Sequence, residues 1–206
     1  MRTNLPSLIY NEFMQTVENL RDIYPYDPRS RTFTIPTRLE TCQDFFNPLD
    51  PSPAPARDLS PDLVEYLNQC SDEIPENHPL VISVEIRAEE PTARQVDECL
   101  RSLGTFYKHE ILVIRSHIRH QRARALRYLL VSCLCLALYL LSEQVDLILF
   151  PWSLLREAIL IGGWVFMWEA VTLNFIEMDG LLREIRKYQR LLNARLDFHH
   201  LSPPTN

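Results

Sequence analysis

Two long apolar runs, at residues 126–142 and 158–176, constrain this sequence more than any other feature. A helix needs about 20 predominantly apolar residues to cross a bilayer, because the hydrocarbon core is about 30 Å thick and a helix rises about 1.5 Å per residue. Both runs reach the lower part of that range, and they contain a single acid, Glu169. They therefore predict two membrane-spanning helices, with a pair of buried core helices in a soluble protein as the alternative.

The charges that flank the two runs favour the membrane interpretation. The connection between the runs carries Glu143, Asp146, Arg156 and Glu157, one base against three acids, whereas basic residues precede the first run and follow the second. This is the positive-inside pattern of a transmembrane hairpin, and it predicts a multi-pass protein of the plasma (cell inner) membrane with cytoplasmic N and C termini. The residues expected to contact lipid head groups are Arg115, Arg119, Arg122, Arg124, Arg183, Arg186, Lys187 and Arg190.

Charge is also distributed unevenly along the chain. Residues 1–110 hold 10 bases and 19 acids, a net charge of -9, whereas residues 111–127 hold five bases and no acid. Nucleic acid is not expected as a partner, because phosphate binding requires a basic face on the soluble part of a protein. The expected partners are membrane lipids, together with a protein bound through the acidic domain or a second copy of the chain.

The residues before the first run predict a small soluble domain. Residues 31–35 (RTFTI) and 80–86 (LVISVEI) have the β-branched and aromatic composition of strands. Between them lies a proline-rich stretch at 48–61, which predicts an extended loop. Ser60 followed by Pro61 is a helix start signal, because the hydroxyl can cap free N–H groups and proline has no N–H to leave unpaired.

A long helix is expected to connect this domain to the membrane. Thr92 and Gln95 form a capping-box pattern, and no proline follows until Pro151. An apolar stripe then repeats at steps of three and four, and a similar stripe follows the second run, which predicts either an antiparallel helix pair or pairing with a second copy. The stripes are Val96, Leu100, Leu103, Tyr107, Ile111, Ile114 and Ile118, and then Leu181, Ile185, Tyr188 and Leu192.

The predicted fold class is α+β, with a small cytoplasmic strand-helix-strand unit that leads into a long helix and a two-helix transmembrane hairpin. Residues 1–91 form the acidic domain, which begins with an amphipathic helix over 1–26. A basic juxtamembrane helix over 92–125 precedes the hairpin over 126–176. Residues 177–206 are expected to form a cytoplasmic C-terminal helix that ends in a frayed tail from His199.

Glu169 is the most informative residue for function. A carboxylate inside a spanning helix costs roughly 2.5–3.5 kcal/mol, so it normally faces protein or water rather than lipid. One interpretation is a structural contact with Arg127 or Ser132 that fixes the hairpin. The other is a proton or cation site in an oligomeric pore that Thr172 and Asn174 also line.

The sequence offers little for an enzyme. Five cysteines occur without a C-x-x-C pair, no acid or cysteine joins the histidines of the basic arm at ligand spacing, and the common phosphate-binding and nucleophile motifs are absent. Catalytic residues, a metal site and a cofactor are therefore not expected. Gly162 and Gly163 do not form a G-x-x-x-G motif and instead predict a packing notch.

Several short motifs carry a resemblance to a known family. They are Tyr26-Asp27-Pro28-Arg29-Ser30, the strand over 80–86 and Gly163-Trp164-Val165-x-x-Trp168. In this order along the chain they resemble a family of uncharacterised bacterial two-span integral membrane proteins. The resemblance implies a cytoplasmic N-terminal α+β unit, a hairpin anchor and a cytoplasmic tail, and it implies no activity. Many similar members have a basic residue and proline where this chain has Glu169-Ala170.

Together these patterns predict a membrane-anchored interaction or assembly subunit whose acidic domain docks a cytoplasmic partner. The alternative is a small oligomeric channel or ion-coupled component that uses Glu169.

Overall fold

The computed structural model describes residues 20–88, 90–142 and 150–200, with only the backbone of residues 150 and 151. The chain divides into two compact units. We call the first the sheet unit, which is Met1–Ile111 together with Arg186–Asn206, and the second the helical unit, which is Leu112–Ile185. Most of the N-terminal helix expected over 1–26 lies outside the described residues.

The sheet unit contains a four-stranded sheet in the order β1-β2-β3-β4. The strands are β1 (Tyr26–Asp27), β2 (Thr32–Leu39), β3 (Leu80–Ile86) and β4 (Arg195–His200). β1 is antiparallel to β2, whereas β2, β3 and β4 are parallel to one another. The two predicted strands are confirmed, and the fold is a mixture of helices and a sheet, as the predicted α+β class requires.

β2 extends four residues beyond the predicted strand, through Pro36. Proline lacks an N–H and is tolerated in edge positions of a sheet. β1 pairs only with Thr32 and Phe33, so the outer side of β2 is free of strand pairing at Pro36. The prediction that the strand ends before Pro36 was therefore wrong. Among the described residues, β2 pairs along its whole length only with β3, so a proline facing the other side is tolerated.

The frayed tail expected from His199 is also wrong for residues 199 and 200, which belong to β4. β4 pairs with β3 in parallel, for example Leu196 with Ile82 and Phe198 with Val84. The six residues of β4 have only a weak local sequence pattern for a strand. Their pairing partner, β3, lies more than 100 residues earlier in the sequence. This long-range pairing is what makes the segment a strand.

Helices cross over between the parallel strands, as parallel pairing requires. α1 (Pro61–Glu73) connects β2 to β3, with Pro61 at its first position as predicted. Ser60 precedes the helix, but its hydroxyl forms no capping hydrogen bond, so the expected cap is wrong. One sheet face is packed against helices and forms the core of the sheet unit. Fully buried core residues are Phe33 and Ile35 of β2, Ile82, Val84 and Ile86 of β3, Leu67 of α1, and Cys99, Tyr107 and Leu191 of the later helices.

The predicted long helix is confirmed as α2, a 50-residue helix over Ala93–Ser142. Its start has the predicted capping box. The Gln95 side chain accepts hydrogen bonds from the backbone N–H and hydroxyl of Thr92 at 2.8 and 2.7 Å, and the Gln95 N–H donates to the Thr92 hydroxyl at 3.3 Å. α3 (Phe150–Thr172), a π-helical turn (Leu173–Glu177) and α4 (Met178–Leu192) follow.

Within the helical unit, α2 and the helix that follows it contact each other at several levels. Ring centroids of Tyr128 and Phe166 lie 5.9 Å apart, and the Ser132 hydroxyl donates to the Gly163 carbonyl at 2.7 Å. Near the other end, the Gln121 amide donates to Glu177 at 2.7 Å. Rising residue numbers on α2 thus meet falling numbers on the other segment, so the two run in opposite directions along these contacts.

Candidate membrane anchor and acidic groove

The helical unit exposes large apolar side chains on both of its long helices. In the most apolar 18-residue window of each candidate span, only 11% and 17% of the window is buried. A core helix of a soluble protein is mostly buried, because water contact with apolar surface is unfavourable by roughly 25 cal/mol per Å². Two helices are therefore long and apolar enough to span a membrane. Exposed residues on them include Leu126, Leu130, Leu134, Leu138, Leu141, Leu154, Ile161, Trp164, Val165 and Trp168.

Of the two glycines predicted to form a packing notch, Gly163 lies at the contact between these helices, whereas a Cβ added at Gly162 would have no heavy atom within 4 Å. A Cβ added at Gly163 would lie 3.2 Å from the Cβ of Cys135, closer than most real contacts. The absent side chain lets the helices approach until the buried Ser132 hydroxyl reaches the Gly163 carbonyl at 2.7 Å. Interhelical hydrogen bonds and small residues at close contacts are the usual stabilising features of paired helices in membranes.

The structure corrects the expected role of Ser132 and Glu169. The Ser132 hydroxyl is occupied by Gly163, and Glu169 is exposed on the surface of the helical unit. In the described part of the chain, the Glu169 carboxylate forms neither the expected contact with Ser132 nor an ion pair with Arg127. Glu169 misses these contacts because it does not point toward the other helix. Its neighbour Ala170 is buried, and successive side chains on a helix point in directions that differ by about 100°.

The residues expected to line an oligomeric pore together with Glu169 differ in their exposure. Asn174 is exposed like Glu169, whereas Thr172 is half-buried. A pore formed by several copies stays a prediction.

The predicted head-group arginines before the first run form an exposed row. In the described residues, none of these guanidinium groups has an acid within ion-pair distance. They are consequently free to contact anionic groups outside the chain. The row consists of Arg115, Arg119, Arg122 and Arg124, and Arg127, which lies inside the first run, is exposed as well.

The basic residues after the second run behave differently from that prediction. Arg183 pairs with Asp179 at 2.8 Å, one helical turn away. Arg186 pairs with Glu76 at 3.0 Å, and Lys187 pairs with Asp72 at 3.0 Å. Arg186 and Lys187 therefore link α4 to residues of α1 and the loop after it inside the sheet unit, and their contact with lipid head groups stays a prediction.

Arg190 is the strongest of these links. Its Nη1 donates to the carbonyls of Ser71 and Ile74 at 3.0 and 2.8 Å, and its Nε donates to the carbonyl of His78 at 2.9 Å. The last carbonyls of a helix lack internal partners and carry partial negative charge, so a guanidinium stabilises the end of α1. Burial lowers the pKa of Arg190, against the opposing effect of Glu76 and Asp72. Arg190 is a structural residue rather than a head-group ligand.

A groove of about 910 Å³ lies along α1 in the sheet unit. Its apolar lining includes Leu59, Val64 and Phe106, and none of the described residues that line it is a lysine or arginine. The acidic residues of the lining are Asp58, Glu65, Asp72 and Glu73. Sequence analysis predicted an acidic domain but missed this groove, although Glu65 and Asp72 are seven residues apart and so share one face of the predicted helix.

Two of the four groove acids are already engaged. Asp72 pairs with Lys187, and Glu73 accepts a hydrogen bond of 2.6 Å from the Tyr24 hydroxyl. Burial, together with the neighbouring Cys70 and Glu73, raises the pKa of Tyr24 well above its usual value, so this phenol remains a donor. Asp58 and Glu65 form no ion pair among the described residues. The groove thus presents an apolar surface beside unneutralised carboxylates.

The three cysteines of the sheet unit have the properties of packing residues. Cys42, Cys70 and Cys99 are buried, and burial raises the pKa of Cys99 to about 12, which disfavours the reactive thiolate. Among the described residues, no group of three His, Cys, Asp or Glu side chains could hold a metal ion.

Comparison with known proteins found no matching family model, no matching curated protein and no matching solved structure for this chain.

Proposed function

We propose that this chain is an integral membrane protein in which residues 126–176 form a transmembrane hairpin, and that it serves as an anchored interaction or assembly subunit. The observation that carries the proposal is the low burial of the two apolar helices, 11% and 17% in their most apolar windows. Large apolar side chains at such exposure need an apolar solvent, and the bilayer provides one.

The energetics favour lipid around this unit despite Glu169. Transfer of one large apolar side chain from water to an apolar environment is worth roughly 1.5–3 kcal/mol when the side chain is fully buried. The carboxylate of Glu169 opposes insertion by roughly 2.5–3.5 kcal/mol. Several such side chains are exposed on each helix, for example Leu130, Leu134, Trp164 and Trp168. Their combined contribution therefore exceeds the penalty of a single acid.

Charge supports a cytoplasmic location of both ends. The row of free arginines precedes the first span, and the connection between the spans is acidic. Positive charge is retained on the cytoplasmic side of membranes, so the hairpin opens toward the cytoplasm and the sheet unit lies in the same compartment.

The acidic groove is the proposed docking surface of the subunit. Its apolar floor and free carboxylates, Asp58 and Glu65, are complementary to an amphipathic protein segment with basic side chains. Such a partner would be recruited to the membrane surface by the anchored sheet unit.

Site-specific crosslinking in native membranes tests this function. A photo-crosslinking amino acid at Asn68 in the groove, which keeps all four groove acids, is expected to capture a discrete protein, whereas the same amino acid at exposed Arg29 is expected not to. Glu65→Lys, which reverses a groove charge, should abolish capture by the crosslinker at Asn68. Equal capture from Arg29 and Asn68, or capture unaffected by charge reversal, would contradict docking in the groove.

A further inference from the structure

Glu169 and Arg127 are opposite charges at the same level of the helical unit. Contacts on either side of them define this level, because Tyr128 meets Phe166 and Gln121 meets Glu177. Both charged side chains are exposed, and in the described residues neither has an ion-pair partner. An unpaired carboxylate that faces lipid is unfavourable, so a partner from outside the chain is expected.

The two charges also lie on one face of the helical unit. Arg127 directly precedes the contact residue Tyr128, and Glu169 directly precedes buried Ala170. One step back along a helix turns the side chain by about 100°. Because the two helices run in opposite directions, the backward step turns both side chains toward the same side of the pair. The axes of packed helices are generally about 8–10 Å apart, so charges at one level of the same face lie side by side.

Other residues on this face suit close packing. Three exposed residues of α2 lie on the same face as Arg127, because each directly precedes a residue that packs toward the other helix or is half-buried. They are Val131, Leu134 and Leu138. On α3, Gly162 directly precedes buried Gly163, and a Cβ added at Gly162 would have no heavy atom within 4 Å. An unfilled glycine surface on a membrane helix allows another helix to approach closely. We call this set the 127/169 face, and its members are Arg127, Val131, Leu134, Leu138, Gly162 and Glu169.

We propose that the 127/169 face packs against the same face of a second copy of this chain, with Glu169 of each copy paired to Arg127 of the other. A two-fold axis along the membrane normal keeps both copies in one orientation and places α2 of one copy opposite α3 of its partner. Because both charges lie at one level, this symmetry brings each carboxylate to a guanidinium. Two ion pairs then form in the four-helix assembly, and the unfavourable exposure of Glu169 to lipid ends.

This inference rests on the proposed membrane anchoring, and charge exchange between copies tests it. Two full-length copies with different affinity tags are co-expressed, and membranes are washed at alkaline pH before detergent extraction. Glu169→Arg in both copies places arginines together, and Arg127→Glu in both copies places acids together. Either change should reduce co-purification of the two tags by at least about tenfold, which corresponds to about 1.4 kcal/mol.

The decisive sample combines one copy carrying Glu169→Arg with one copy carrying Arg127→Glu. Both cross-copy pairs are then attractive, so co-purification should return to the unmodified level. A pair formed within one chain predicts no such rescue, because each copy would still hold two like charges. The matched control is Arg122→Glu, a charge reversal on the opposite side of α2, which should leave co-purification unchanged.

Crosslinking provides a second measurement that leaves the charges intact. With Cys133 and Cys135 replaced by alanine, Gly162→Cys in one copy and Leu134→Cys in the other should form a disulfide between differently tagged copies. Leu129→Cys with Val171→Cys, on the opposite face, should not. Protein that stays in the washed membrane but shows neither rescue nor this disulfide would overturn the dimer alone, whereas release of the unmodified chain into the alkaline wash would overturn the membrane anchoring itself.

Discussion

Removal of the Arg190 guanidinium should loosen the end of α1 in the sheet unit. Three backbone carbonyls, those of Ser71, Ile74 and His78, accept hydrogen bonds of 2.8–3.0 Å from this one side chain. Hydrogen bonds with a charged donor contribute roughly 1.5–3 kcal/mol each, and they are not additive because water reaches the partly exposed site after truncation. We therefore expect Arg190→Ala to cost about 2–4 kcal/mol in local stability.

Two further variants separate geometry from charge. Arg190→Lys keeps the charge but replaces a planar fork with a single ammonium group, so it should lose about half of the Arg190→Ala effect. Arg186→Ala removes one exposed ion pair with Glu76 at 3.0 Å, and such pairs contribute only about 0–1 kcal/mol. The expected order of destabilisation is Arg190→Ala, then Arg190→Lys, then Arg186→Ala.

The thiol of Cys70 reports on this site, because it is buried on α1 close to the carbonyls that Arg190 holds. Its labelling rate in the full-length protein in detergent, resolved by peptide mass spectrometry, measures the population of locally open molecules. A loss of 2–4 kcal/mol corresponds to roughly 30- to 900-fold faster labelling, and 1 kcal/mol to roughly fivefold. Labelling of Cys70 that stays within about twofold of the unmodified chain in Arg190→Ala would refute the assigned role.

Three other predictions concern packing, pH and transport. Gly163→Leu should push the two helices apart, because its Cβ alone would lie 3.2 Å from the Cβ of Cys135. Cysteines introduced at the contacting positions 128 and 166 should then no longer form a disulfide. Gly162→Leu, the matched control, should preserve that disulfide. Hydrogen bonds from Asp58 and Ser52 lower the pKa of Asp50, so its stabilising contribution is complete above its unfolded pKa of about 4 and is lost as the pH falls through the lower folded value. Pepsin cleavage near residues 50–58 should therefore be measured in Asp50→Asn and in the unmodified chain at several acidic pH values. The ratio of the two cleavage rates should approach one as the pH decreases. A ratio that rises with acidification would contradict this role of Asp50. Liposomes that contain the purified protein should show no proton or cation flux that depends on Glu169, and flux abolished by Glu169→Gln would instead support the channel interpretation.

Features encoded locally were predictable from the sequence. The Thr92 capping box, the uninterrupted apolar stripe after it and proline at the first helical position, Pro61, are local signals, and the structure contains the helices that they predict. The strand over Leu80–Ile86 was predictable for the same reason, since its composition fits a buried strand.

Features that depend on distant partners were not predictable. β4 is a strand because β3 lies beside it, and Arg190 binds the end of α1 because the crossover from β3 to β4 returns α4 to the sheet unit. Basic residues after an apolar run have the same local pattern whether they bind head groups or carbonyls.

The position of Glu169 depended on helix rotation. Sequence alone placed its level near Ser132, but a rotation of one residue separates a side chain between the helices from one on the outside. The small size of Gly163 favours the observed rotation, because a Cβ there would crowd Cys135 while its carbonyl accepts the Ser132 hydrogen bond. The expected contact within the chain was therefore replaced by an exposed carboxylate.

The most direct test of the membrane hairpin is the accessibility of the connection between the two apolar runs. In a chain whose other cysteines are replaced by alanine, Gln144→Cys should react with a membrane-impermeant thiol reagent in intact cells, whereas a cysteine at Arg29 should react only after lysis. In the proposed topology the connection and residue 29 are on opposite sides of the bilayer, so this pair of results is expected. Protection of the residue 144 thiol until lysis, with the same reactivity as the residue 29 thiol, would contradict it.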